Sequence, residues 1–289
     1  MTDLECAPGA GGAGRETGGI GRRAALRAGA AGLLLGLTGC AVATDPTAHD
    51  PTEYQPTEQQ PVAEPASPTG EPSAGPPGPD ARTPGPVSGG SGVELMHATS
   101  GRPELALTFH GAGDLGLARK VLETLAREGT AVTVLAVGTW LQSWPDAARM
   151  VTDLGHELGN HTWSHQNISA LSESAQRTEI ERCRDRIAAL TGGPGAFFRQ
   201  SAARRATPEL LRLAGAAGYP RVLSYDVDSL DYTDPAVDTV RQRLAAAKAG
   251  SVVSMHLGHP VTLAALPGIL ADLRRRRLRA VTATRLFAP

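Results

Sequence analysis

Leu105-Ala106-Leu107-Thr108-Phe109-His110 is a strand-like run, apolar but for Thr108, that ends on an imidazole, and a helical pattern over residues 115–128 follows it. Residues 131–137 (AVTVLAV) repeat the theme ahead of a helix at 145–154. Further strand candidates lie at 157–158, 197–198, 222–225, 251–255 and 280–283, with helices near 169–190, 208–217, 235–248 and 263–277. Runs buried on both faces, each followed by an amphipathic helix, predict strand-helix units and a parallel sheet. Alternation alone does not separate an open sheet from a barrel. The polar residues do: His110, His161, Arg199, Asp228 and His256 each fall just after a different strand candidate. In strand-helix folds, functional groups collect at the carboxyl ends of strands. Five contributors from five strands reach one another only around a closed or nearly closed ring, so the expected fold is α/β, a distorted or incomplete barrel of about seven strands over residues 93–289.

The sequence ahead of that domain reads differently. Arg22-Arg23 opens a basic stretch, residues 28–39 are a short apolar run, and Leu37-Thr38-Gly39-Cys40 follows. Charge, hydrophobe and small residues in that order read as an export signal over residues 1–39. Twelve apolar residues are too few for a membrane-spanning helix, which needs about 20. The tetrapeptide resembles a bacterial lipobox, which implies a lipid on Cys40 and a place on the outer face of the cell membrane. The Arg pair also resembles a twin-arginine signal with Ala where Phe is usual. Residues 40–92 carry little that is large and apolar, and 12 of the chain's 22 Pro lie between Pro46 and Pro86. Such composition cannot bury enough surface to offset the entropy of ordering, so the stretch reads as a disordered tether, about 40 Å long as a flexible coil.

Charge and cysteine content narrow the function. Lys and Arg number 28 against 29 Asp and Glu, for a net charge of -1. That balance offers no field to recruit nucleic acid. Three Cys, at 6, 40 and 183, make no disulfide framework; Cys183 reads as an inert packing residue. Nothing in the sequence points beyond a monomer.

The chemistry gathers around His161-Thr162-Trp163-Ser164-His165, two imidazoles at i and i+4, a spacing that on a helix face lets two neutral nitrogens grip one cation. Here the chain resembles the polysaccharide deacetylases of the NodB-homology type over most of residues 103–285. Gly159-Asn160-His161-Thr162-Trp163-Ser164-His165 is similar to that family's metal motif. Tyr225-Asp226-Val227-Asp228-Ser229-Leu230-Asp231-Tyr232 is similar to its Asp-rich motif, with Tyr232 where Trp is usual. Ser251-Val252-Val253-Ser254-Met255-His256 is similar to the last motif, with Ser254 where Leu is usual, and Phe198-Arg199 to the start of the arginine motif.

The resemblance implies a metal-dependent barrel that removes acetyl groups from N-acetylated sugars of peptidoglycan or another extracellular polysaccharide. It implies a divalent cation, zinc foremost with cobalt or nickel as alternatives, on His161, His165 and a carboxylate. His256 would be the general acid held protonated by Asp231, Arg199 would orient the acidic network, and a backbone N–H near Ala202 would face the oxyanion. Asp228 and Tyr232 would line the substrate site, with the alternative that Asp228, just past a strand, only caps a turn. The first motif departs from the family's Thr-Phe-Asp-Asp-Gly, reading Thr108-Phe109-His110-Gly111-Ala112-Gly113-Asp114. Asp114, after a Gly-rich loop, is expected to fold back as the ligand, with His110 as base. The reverse assignment, and an Asp114 that only caps the following helix, stay open. So do two other readings of the whole chain: a hydrolase of another amide or ester, and a glycan-binding homologue without turnover.

Overall fold

The computed structural model describes residues 90–289. The export signal, Cys40 and the tether up to residue 89 lie outside the described residues.

Sixteen elements follow one another in the described chain: β1 (Val93–Leu95), β2 (Glu104–Gly111), α1 (Leu115–Arg127), β3 (Thr133–Ala136), α2 (Gly138–Ser143), α3 (Asp146–Asp153), β4 (Glu157–Asn160), α4 (Glu173–Thr191), α5 (Pro208–Ala216), β5 (Arg221–Leu223), β6 (Val227–Asp228), α6 (Val237–Leu244), β7 (Val252–His256), α7 (Pro260–Arg275), β8 (Arg279–Val281) and α8 (Ala283–Leu286). The sheet runs β4-β3-β2-β7-β6, with β8 against the start of β2, and every ladder in it is parallel. β1 and β5 form a second parallel pair.

Between the two lies the seam of the barrel. Phe197 and Phe198, expected as a strand, supply only single bridges, Phe198 to Asn160 on β4 and to Val222 on β5. The ring is therefore an incomplete barrel, as expected. The strand expected at 222–225 stops at Leu223: β5 pairs with β1, and the chain passes through residues 224–226 to β6, which pairs with β7, while Asp226 accepts from Val252 N (2.8 Å) and Ser251 Oγ (2.9 Å).

Strand alternation decides what faces where. On β2, Leu105, Leu107 and Phe109 pack outward against α1 and α7 residues such as Leu122, Leu266 and Ile269. Ala106 faces inward with Leu135, Phe197, Leu223 and Val252. Thr108 and His110 share the inward face of Ala106, and His110 stands beside His256 in the β2–β7 register. The same alternation turns Ser254 and His256 inward from β7. A third cluster, Phe198, Leu210, Leu213 and Tyr219, seats α5 over the seam. Each such large side chain is worth roughly 1.5–3 kcal/mol of burial, so the inward polar residues sit on a scaffold held from outside.

Candidate active site

His110 is the penultimate residue of β2, His161 follows β4, Arg199 follows the Phe198 bridge, Asp228 ends β6 and His256 ends β7. All five expected positions therefore stand at the carboxyl end of the parallel strands. The imidazole pair is built differently from the expected helix face. Residues 161–167 are a loop, and Thr162 and His165 sit in the left-handed region at φ 68° and 60°. Asn160 Oδ1 accepts from Thr162 N (2.9 Å), and Glu179 on α4 accepts from both Ser164 N (2.8 Å) and Ser164 Oγ (2.7 Å).

Three nitrogens meet at this loop. His161 Nε2 lies 3.1 Å from His110 Nδ1 and 3.1 Å from His165 Nε2. His161 Nδ1 is 3.1 Å from the Arg199 carbonyl, which has no proton, so Nδ1 carries the hydrogen and Nε2 presents a lone pair. The far nitrogen of His110, Nε2, meets Ser254 Oγ at 3.2 Å. Outer nitrogens on oxygen partners and inner nitrogens pointed at one another are the arrangement of imidazoles that hold a cation. One ligand atom from each of the three residues lies within 4.8 Å of the others.

Loss of solvent holds His110 and His161 well below the usual imidazole range, helped by neighbouring imidazoles and Arg199. The same cause lowers His165 to about 4, with His256 adding to it. All three are thus neutral at neutral pH, the form that binds metal. The donor set fits a divalent ion that accepts nitrogen, such as zinc.

Asp114 does not fold back to this cluster. It is exposed and caps α1, Oδ1 accepting from Leu117 N at 2.7 Å. The Gly-rich loop before it is not free to turn it inward: Gly113, at φ 88°, packs so closely on Gly258 that a Cβ there would stand 2.6 Å from Gly258 Cα. Trp140, buried, fixes the same loop by donating to Gly113 O (3.0 Å). The third position beside the pair is taken by His110, whose two nitrogens are both engaged, as a ligand would be and a free base would not.

Opposite the cluster stands a second unit. His256 Nδ1 lies 2.6 Å from Asp231 Oδ1, and Asp231 Oδ2 accepts from His256 N (2.9 Å) and Thr262 Oγ1 (2.6 Å). Burial pushes the Asp231 carboxyl up, but the hydrogen bond and charge of His256, with Thr262, outweigh it and hold the group below its ordinary value. Asp231 is therefore an anion that places a proton on His256 Nδ1. The His110 and His256 ring centres are 4.1 Å apart, so the dyad abuts the nitrogen cluster. Tyr232 stands edge-on to His256 at 5.1 Å.

Arg199 does not hold the acidic residues as expected. Its Nε donates to Leu223 O (2.7 Å), while Nη1 and Nη2 are buried without a partner. With an imidazole at the end of β2, no carboxylate is there to receive them. Burial lowers this guanidinium to about 10 against the opposing pull of Tyr225 and Asp228. Asp228 closes a turn by accepting from Leu230 N (3.0 Å), and burial raises its carboxyl. Ala202 is exposed with a left-handed backbone, φ 52°.

Sequence reading missed Ser254 and Thr262 as partners of His110 and Asp231, and Glu179 altogether. Ser254 had a signal, two residues before His256 on the same strand face; the other two had none.

The family model for polysaccharide deacetylase matches residues 97–222. A peptidoglycan-N-acetylglucosamine deacetylase of Bacillus cereus is 27% identical over 191 residues, 64% of this chain and 69% of that protein. A chitooligosaccharide deacetylase of Bradyrhizobium sp. is 29% identical over 164 residues, 56% of this chain and 74% of the relative. Among solved structures, a peptidoglycan N-acetylglucosamine deacetylase crystallised with 4-naphthalen-1-yl-N-oxidanyl-benzamide superposes with a TM-score of 0.63 at 25% identity, covering 67% of this chain and 92% of that one. The match over residues 97–222, under half of the chain, together with the shared fold, makes the described domain similar to the polysaccharide deacetylases.

Proposed function

We propose that this chain is a metal-dependent hydrolase that removes acetyl groups from N-acetylated sugars of a cell-wall polysaccharide such as peptidoglycan. The observation that carries the reading is the meeting of two units, a cluster of three neutral imidazoles and a His256–Asp231 dyad, across 4.1 Å of ring-to-ring contact. His110, His161 and His165 would hold the divalent ion. When bound, such an ion polarises a carbonyl and lowers the pKa of water.

The protein side of the reaction is assigned to the dyad. An amide nitrogen leaves poorly unless protonated. Asp231 keeps the hydrogen on His256 Nδ1, so Nε2 is the atom that delivers a proton to the departing amine. The amide near Ala202 is available for the oxyanion, and Tyr232 and Asp228 border the sugar. Export, anchorage through Cys40 at the outer face of the membrane, and a monomeric state belong to the same proposal; the signal-like order of residues 22–40 and the composition of the tether support it.

Acetate release from peptidoglycan or chitin oligomers tests the reading. His161→Ala is expected to lose both metal and activity, and His256→Ala to keep the metal and lose activity by roughly 10²–10⁴. Full activity in either variant overturns the assignment.

A further inference from the structure

The loop that carries the imidazole pair is held in a conformation its own residues disfavour. Thr162, β-branched, and His165 both have positive φ, and such residues persist there only when their surroundings fix them. At the first, Asn160 Oδ1 takes the Thr162 amide. At the second, the fixing group is Glu179, whose two oxygens hold the N–H and the Oγ of Ser164, the residue before His165. Glu179 is only 8% exposed, and among the described residues it forms no ion pair. A buried carboxylate served by neutral donors alone is an expensive way to fasten a loop.

Resting on the metal reading above, we propose that Glu179 is a positioning residue of the metal centre. Its carboxylate sets the course of the chain into His165 by holding both polar groups of Ser164. The rest of the same face of α4 behaves consistently. Ile180 O accepts from Asn160 Nδ2 (2.8 Å), Arg182 lies over the Trp163 ring at 3.8 Å, and Cys183 Sγ meets Ala136 O at 3.4 Å. The helix thus fastens residues 160, 163 and 164 together, and Glu179 is the single charge among those fastenings that is both buried and unpaired.

The test is zinc affinity of the full chain by competition with a chromophoric chelator, together with the visible spectrum of the cobalt form. It compares wild type with Glu179→Ala, Glu179→Gln and Ser164→Ala. Loss of an outer partner weakens metal binding by roughly 10- to 100-fold. That loss is expected for Glu179→Ala, a smaller one for the other two, and the cobalt bands should shift in all three. Glu179→Gln and Ser164→Ala decide the matter should Glu179→Ala not fold. Zinc dissociation constants within twofold of wild type, with unchanged cobalt bands, overturn the role of Glu179 and leave the metal reading standing. A wild-type chain that takes up no zinc or cobalt overturns both.

Discussion

Acidifying the metal-free protein should unfold it through the imidazole cluster, and the size of the effect follows from one residue. His165 titrates at about 4 in the folded chain, against about 6.5 when unfolded. Between those values the unfolded state binds the proton and the folded state does not, so stability falls as pH falls. At pH 5 the gap still open is 1.5 units, which at 1.36 kcal/mol per unit is about 2 kcal/mol lost relative to pH 7.5. For a domain of this size that is roughly 4–8 °C in Tm. His110 and His161 are lowered too and act with the same sign, as does buried His156, whose desolvation also depresses it. Asp231 is lowered as well, but a depressed carboxylate gives way only below the ordinary carboxylate range, outside this window. The assay is thermal unfolding in chelator at pH 7.5 and pH 5, for wild type and His165→Gln. The wild type should lose about 2 kcal/mol more than the variant over that interval. Equal losses in the two proteins would refute the claim that burial keeps His165 neutral.

Other consequences are open to direct measurement. Asp231→Asn removes the charge behind His256 and the acceptor of three hydrogen bonds; kcat for acetate release should fall by roughly 10²–10⁴ while zinc affinity stays within a few fold, and a kcat within threefold of wild type would discard the dyad as general acid. Gly113→Ala puts a Cβ 2.6 Å from Gly258 Cα at a positive φ, and urea unfolding should show a loss of about 1–3 kcal/mol; a loss under about 0.5 would mean the loop yields. Cys183 is fully buried and burial pushes its thiol to about 12, so an aromatic disulfide reagent at pH 8 should leave it unmodified in the folded chain and label it in denaturant.

Much of the scaffold is legible from the sequence because burial on both sheet faces leaves a plain mark. Runs such as 105–109 and 131–137 have no other use, and a polar residue just past five of the strand candidates, His110 after the first, marks the end of the sheet where chemistry gathers. The barrel seam is not legible. Phe197-Phe198 reads as a strand, but one inward ring and one outward ring at a single crossing produce the same two letters. The imidazole pair was found for a reason that proved different in form. A spacing of four suits a helix, and nothing in Thr162 or His165 announces the left-handed backbone that brings their loop round instead.

Asp114 shows most clearly where reading by motif and reading by physics part. An Asp ahead of a helix is both a good cap and a good ligand, and composition cannot choose between them. The choice is made by Gly113 and Gly258, 145 positions apart, whose close packing leaves the loop no slack. Once Asp114 is spent on the Leu117 amide, the end of β2 has only His110 to offer, and register places that imidazole beside His256 and against His161. Two buried groups near the imidazole loop lack a charged partner. Arg199 keeps two buried nitrogens without an acceptor, and Glu179 is a buried carboxylate without a cation. A centre built from three neutral imidazoles has to draw its negative charge from outside the ligand set. The carboxylate joined to it by direct contacts is Asp231, bonded to His256, whose ring centre lies 4.1 Å from that of His110.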